Sequence, residues 1–406
     1  MAGVDHSSQI RTLILTLQYD HRASYYNDWI EAYKKSSLFK CQVLNLMKIE
    51  PVDLSSCIEE FDLIILLHSA TGDTLDYLAP LQSVLMDRKR PILLAFVGNE
   101  FNSPYQPLSN KVEMLKNIRA DIIATQLLEE AGRYVYQNCD ARIVSIPHAL
   151  NPDAFNAKTP YEDRPIDIGM RSYRYPPHLG DDDRNRIIDF FVEQCPDLGL
   201  SHDISTTHRF TPDKWGGFLG SCKSVLSTET GSWYLSPDDS LVKQVHAYAT
   251  QKRGGLVIDE KSRLRRLVRH LPAVLKSPLI YTMKKGPIKY GVFEDEKLDF
   301  DDIYQRFFKT AQKCPVYSKG ISSRNFDAIG TRTCQIMFPG RYNDILTADE
   351  HYISLEPDFS NISEVVEKLK DKSQWQEIVD QAHQLVMENH TYAHRARQTS
   401  DIFQSL

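Results

Sequence analysis

A chain of 406 residues is too long for one ordinary core, and a content of 42% hydrophobic, 25% charged and 10% aromatic residues excludes disordered and fibrous classes in favour of a soluble protein of two domains. The formal net charge of −6 gives no general attraction to nucleic acid, which is not expected as a partner. Seven cysteines without a C-x-x-C pair or a Cys/His cluster exclude a zinc module and read as reduced thiols.

In chain order, the start MAGVDHSSQIRTLILTLQYD holds an apolar run too short for a signal-peptide core, and no window approaches the length of a membrane span. The protein is expected to be cytoplasmic, with any membrane contact peripheral. Residues 1–150 alternate short apolar runs with helical patterns. Strands are predicted at RTLILTL (11–17), CQVLNL (41–46), DLIILLH (62–68), PILLAFV (91–97), DIIAT (121–125) and RIVSIP (142–147). Helices are predicted at YYNDWIEAYKK, TLDYLAPLQSVLMD, LSNKVEMLKNI and LLEEAGRYVYQN, which makes this an α/β lobe with a doubly wound sheet. Proline-rich residues 151–165 read as a linker.

A second lobe spans 166–390, with strands predicted at IDIGM (166–170), KSVLST (223–228), GGLVID (254–259), TCQIMF (333–338) and HYISL (351–355). Its helices are DDRNRIIDFFVEQ, DKWGGFLGS, LVKQVHAYATQ, FDDIYQRFFKTAQ, SRNFDAIG and the run from Ser360 to Asn389. Residues 391–406 form a last, polar helix that, by analogy with other two-lobed proteins, returns to the first lobe.

In open α/β sheets ligands bind beyond the carboxyl ends of the strands. The first strand is followed there by Asp20 and His21, the fourth by Glu100. A histidine or carboxylate at such a site can take a proton from a hydroxyl, so these three are the candidate catalytic groups. The alternative is that they only cap the following helices. No G-x-G-x-x-G and no P-loop is present, which sets aside a dehydrogenase-type dinucleotide site and a Walker NTPase.

In the second lobe, Glu229, Thr230, Gly231 and Ser232 follow KSVLST in a turn whose N–H groups and hydroxyls suit an anion, and Arg171 follows IDIGM where it can meet a phosphate. An ordinary loop and a surface charge are the alternatives. At SSRNFDAIG, Ser322 or Ser323 caps a helix, with Arg324 in the first turn and Asp327 three residues on, near the same face. Such a carboxylate can accept from the two hydroxyls of a ribose while Arg324 and the free N–H groups hold phosphate oxygens. A surface Arg324/Asp327 pair is the alternative. Arg341 and Tyr342 stand at a further strand end, after TCQIMFPG.

The stretch ISSRNFDAIGTRTCQIMFPGRYNDILTADEHYISLEPDFSNISEVVEKLKD, with ENHTYAHRARQ, resembles the C-terminal lobe of bacterial glycosyltransferases of the GT-B type (glycosyltransferase group 1), nearest the spore-maturation CgeB-like subgroup. Further similarity lies in FVGNEFNSPYQPLSNKVEMLKNIRADIIATQLLEEAGRYVY, SIPHALNPDAF, DIGMRSYRYPPHLGDDDRNRIIDFF and VLSTETGSWYL. The resemblance implies two Rossmann-like lobes facing a cleft. A nucleotide-diphosphate sugar is then held by the C-terminal lobe, and a glycan or lipid-linked saccharide acceptor by the N-terminal one. No cofactor and no required metal is implied. Asp327 stands where the family usually carries a ribose-binding glutamate, and Lys319 occupies the position eight residues earlier where a second glutamate is familiar.

Residues 261–290 carry nine Lys/Arg and no acid, with Leu264, Leu267, Val268 and Leu271 near one helical face. Within an insertion of about 260–298, this segment suits an anionic lipid surface, a polyanionic glycan or simply a solvated face. The leading expectation is a metal-independent glycosyltransferase of cell-envelope polysaccharide biosynthesis. The alternatives are a catalytically silent carbohydrate-binding or assembly protein on the same fold and, last, a nucleotide-sugar epimerase.

Overall fold

The structure, a computed structural model, describes residues 9–18, 25–72, 74–156, 159–208, 210–253, 257–258, 289–290 and 298–406. Strands β1 (Ile10–Thr16), β2 (Phe39–Asn45), β3 (Leu63–Leu66), β4 (Ile92–Phe96), β5 (Ile122–Thr125) and β6 (Arg142–Ser145) form one parallel sheet in the order β2-β1-β3-β4-β5-β6. Both of its faces are covered: Leu13, Leu15, Leu66 and Leu93 pack on one side, and Ile14, Ile65, Leu94 and Phe96 on the other. This is why these strands read as continuous apolar runs. The Tyr25–Lys35 helix closes the second side with Trp29, Ile30 and Tyr33, all buried.

A second sheet follows the linker. It contains β7 (Ile166–Arg171), β8 (His202–Ser205), β9 (Cys222–Ser227), β14 (Cys334–Met337) and β15 (Ile353–Ser354), in the parallel order β15-β14-β9-β7-β8. Between β9 and β14 the chain adds two short pairs. One joins β10 (Thr230–Gly231) to β13 (Lys319–Gly320) antiparallel, and the other joins β11 (Val257–Ile258) to β12 (Lys289–Tyr290) in parallel. Two expectations change here. Of the predicted GGLVID strand the described residues form β11, outside the main sheet, and the fifth place in that sheet is taken by the unpredicted β8, a polar edge strand.

The run from Ser360 to Asn389 is two helices, Ile362–Lys370 and Lys372–Asn389, broken at Asp371, whose carboxylate accepts from Ser373 N at 2.8 Å and Gln374 N at 3.1 Å. The proline-rich segment is anchored by Arg164, 1% exposed, which donates to Cys222 O at 2.7 Å, Thr331 O at 2.9 Å and Thr333 Oγ1 at 3.0 Å. The last helix, Tyr392–Gln404, lies on the first sheet. Tyr392 and Ala396 join the Trp29 core, and Thr399 Oγ1 lies 2.8 Å from Tyr33 Oη. No helix among the described residues is long and apolar enough to cross a membrane. The basic stretch 261–288 lies outside the described residues.

Candidate functional site

In the second sheet β7 is followed by β8 on one side and β9 on the other, so the strand order reverses between β7 and β9. A crevice opens at such a point beyond the strand ends. It is a narrow slot enclosing about 30 Å³, lined from β7 and its end by Arg171 and Ser172, from β9 and its end by Ser227 and Thr228, and from the Ser323–Gly330 helix start by Ser322 and Arg324. That volume admits one small group, such as a phosphate or carbonyl oxygen.

The helix begins there because Ser322 and Asn325 cap each other. Asn325 Oδ1 accepts from Ser322 N at 3.0 Å and Ser322 Oγ at 2.8 Å, while Asn325 Nδ2 donates to Ser227 Oγ at 3.1 Å and Gln335 Oε1 at 2.8 Å. Ser323 is the first helical residue. Arg324 projects across the slot to Ser172 Oγ at 2.7 Å. Two polar atoms on the slot's wall are buried with no hydrogen-bond partner among the described residues: Thr228 Oγ1, in a residue 3% exposed, and Gln335 Nε2, in one 1% exposed. Leaving such a group unmatched costs roughly 1–3 kcal/mol, which a ligand oxygen would return.

Arg171 also lines the slot, but its fork is largely engaged. It donates to Met170 O at 2.9 Å, Asp203 O at 2.7 Å and the Asp203 carboxylate at 2.5 Å, and it lies over the rings of Phe210 and Phe218. Its first task is to tie β7 to β8.

Beside the slot lies a buried ionic cluster. Lys319, 2% exposed, reaches Asp181 at 2.8 Å and Asp183 at 2.7 Å. Burial works against the Lys319 ammonium, yet the two aspartates outweigh it and hold the charge. Glu229, 5% exposed, accepts from Tyr342 N at 2.7 Å and from Tyr317 Oη, and burial pushes its carboxyl up. Thr230 donates to Gly320 O at 3.3 Å across the β10–β13 pair. At Gly231 φ is +109°, and a Cβ would stand 2.6 Å from Ser318 O, so only glycine passes.

Asp327 does not line the slot. Its carboxylate accepts from Nε1 of Trp215 at 3.0 Å, and the Trp215 side chain is part of the slot wall. Burial pushes the Asp327 carboxyl up to about 7, with Trp215 opposing, Asp28 of the first lobe adding to the shift and Arg324 opposing it. Asp28 accepts from Asn151 Nδ2 at 2.6 Å and is raised by burial to about 6. A carboxyl with a higher pKa folded than unfolded retains its proton on folding, so stability declines as pH rises from about 4 to about 7 and stays low above. Asp327→Asn keeps an oxygen for Trp215. At pH 8 it is expected to exceed the parent by about 2 kcal/mol, half the full linkage value because the side chain is part-exposed, and to converge with it near pH 4. Urea unfolding across that range checks this, and an unaltered slope refutes it.

The chain's similarities bear on this geometry. A family described as Glycosyl transferase-like matches residues 302–401, which include the Ser323–Gly330 helix, β14 and β15. HepE of Anabaena, solved in complex with UDP, superposes with a TM-score of 0.51 at 9% identity, over 98% of this chain and 100% of that one. Its UDP-glucose complex gives 0.50 at 10% identity over the same shares. So does an α-glucosyltransferase in complex with UDP-glucose and DNA containing an abasic site, at 0.50 and 10% identity over 98% and 100%. The fold is that of the GT-B glycosyltransferases. No curated protein matches the sequence.

Within this GT-B frame the other sequence candidates fall in different places. Asp20 and His21 lie outside the described residues. Glu100, 7% exposed, accepts from Thr125 Oγ1 at 2.8 Å, Tyr136 Oη at 2.7 Å and Gln126 N at 2.6 Å, so it braces the β4 and β5 ends. Burial pushes its carboxyl up against those three donors. Ser232 donates to Leu179 O at 2.6 Å and lines a separate, larger cavity. Arg341 leaves the slot altogether, pairing with Asp344 at 2.6 Å and with Glu130 of the first lobe at 2.7 Å. Tyr342 is buried and donates its hydroxyl to Phe338 O at 2.7 Å.

Gln335, Thr228, Ser172 and Trp215 were not singled out by sequence. Gln335 alone carried a signal, as a polar residue inside an apolar strand.

Proposed function

We propose that the protein transfers a sugar from a nucleotide-diphosphate donor to a saccharide hydroxyl. The observation that carries this reading is the slot at the β7–β9 reversal, where Arg324, the capped helix start and two unmatched buried polar atoms converge. Arginine and helix N–H groups offset the charge that develops on a departing diphosphate, and the proposal assigns that work to them rather than to a metal. Trp215 lines the slot with the Asp327 carboxylate holding its Nε1, and the proposal seats the ribose against that indole. The UDP and UDP-glucose complexes of fold relatives support a uridine donor. A place near the spore-maturation subgroup, a glycan or lipid-linked acceptor, and work at a membrane surface belong to the same proposal.

A thermal-shift panel of UDP, GDP, ADP and the matching sugar nucleotides tests it, since a ligand that binds only the folded chain raises Tm. UDP or UDP-glucose at a hundred times its Kd stabilises by about 2.7 kcal/mol, a shift of several degrees. No response to any nucleotide would reject the reading. Binding without any release of UDP from a UDP-sugar would favour the silent-binder alternative, which the Lys319 substitution of an acid recommends.

A further inference from the structure

A second, larger cavity of about 220 Å³ lies where the loop after β4 meets the segment after β10, lined by Asn102 on one side and by second-lobe residues on the rest. We infer that it is the acceptor subsite and that it takes one uncharged, hydroxylated ring, a neutral sugar residue; this rests on the transferase reading above. Its placement is the first argument. The chain runs from Thr228 on the slot's wall to Ser232 on the cavity's wall in four residues, and Ser318, next to Lys319, donates to Ser232 O at 2.7 Å, so the cavity adjoins the Lys319 cluster.

Its chemistry is the second. The floor is apolar and aromatic, with Tyr234 and Phe308 rings 4.7 Å apart between centroids and Val242 beside them. The rim carries Ser240, Gln244 and Gln312, exposed groups that both donate and accept. A sugar offers the same division, an apolar C–H face and a belt of hydroxyls. Among the described residues the lining has no lysine or arginine and does have Asp238, which opposes a phosphorylated or uronic acid ring. The volume is under the roughly 300 Å³ at which pockets for larger ligands begin, so one ring is enclosed and any further units stay outside.

Its rigidity is the third. Asn102 Nδ2 donates to Ser236 O at 2.9 Å and Asp239 Oδ1 at 2.8 Å, and Asp239 in turn caps the Leu108–Asn117 helix through Leu108 N at 3.1 Å and Ser109 N at 2.9 Å. The wall is therefore formed before any ligand arrives.

Saturation-transfer NMR on the full chain with UDP present tests the inference. The probes are methyl glycosides of glucose, galactose and N-acetylglucosamine, set against glucuronate and glucose 6-phosphate. At least one neutral glycoside is expected to bind ten times more tightly than either anion. Gln244→Ala/Gln312→Ala, two exposed changes, should weaken it tenfold, and Ala311→Trp, which fills the cavity, should abolish it. The Tm shift with UDP should persist in both variants. Glycoside binding that survives Ala311→Trp, no neutral glycoside bound, anions bound equally, or variants that lose the UDP response would each overturn the assignment. A parent chain that ignores UDP yet binds a glycoside in this cavity would instead sink the transferase reading alone.

Discussion

Lys319→Ala is expected to destabilise the protein by about 3 to 5 kcal/mol, with Tm falling on the order of 10 °C. The reason is not the loss of an attraction. Asp181, 4% exposed, and Asp183 are held with the Lys319 ammonium between them, and without it Asp181 has no counter-charge in reach among the described residues. An uncompensated buried charge is the costly state, whereas an apolar replacement of the whole group often is not. Lys319→Met/Asp181→Leu should therefore recover part of the loss. Calorimetry of the three proteins decides it, and a fall in Tm under about 2 °C for the single variant would show that the cluster opens to water.

Arg324→Ala should weaken UDP binding by about ten- to a hundredfold, the value of one or two charge-assisted hydrogen bonds. Arg324 donates across the slot to Ser172 Oγ at 2.7 Å, whereas Arg171 is held by the Asp203 carboxylate. Arg171→Ala is accordingly expected to unsettle the β7–β8 edge and to act on UDP affinity only through that damage. Isothermal titration compares the pair, with Arg133→Ala as a control because that arginine forms an exposed ion pair with Glu129 within one helix of the first lobe. An affinity for UDP within threefold of the parent in Arg324→Ala would remove the slot from the donor site.

Much of the fold was legible because a parallel sheet covered on both faces demands apolar residues at consecutive positions. RTLILTL, DLIILLH and PILLAFV could hardly be anything else. β8, His202–Ser205, was not legible, since an edge strand half open to water has no such demand on its sequence. SSRNFDAIG announced its helix through the cap, and with it Ser322 and Arg324. The Lys319–Asp183 contact joins residues 136 apart, so no local pattern could contain it. Asp327 was read correctly as a residue of that helix, but its carboxylate turned out to face Trp215, 112 residues away, which spacing alone does not reveal.

The chain passes between the lobes at Leu150 and again at Thr391, and the two passages run side by side. Leu150 N donates to His390 O at 2.9 Å and Tyr392 N to Leu150 O at 3.0 Å. Two connectors fastened together make a hinge with one axis, which permits swinging and resists twisting. The lobes are also tied by the exposed Arg341–Glu130 pair, which holds less than about 1 kcal/mol, and by Asn102, which donates to Ser236 O at 2.9 Å and Asp239 Oδ1 at 2.8 Å. A swing about that axis would have to break the Asn102 bonds, so the wall of the larger cavity resists it.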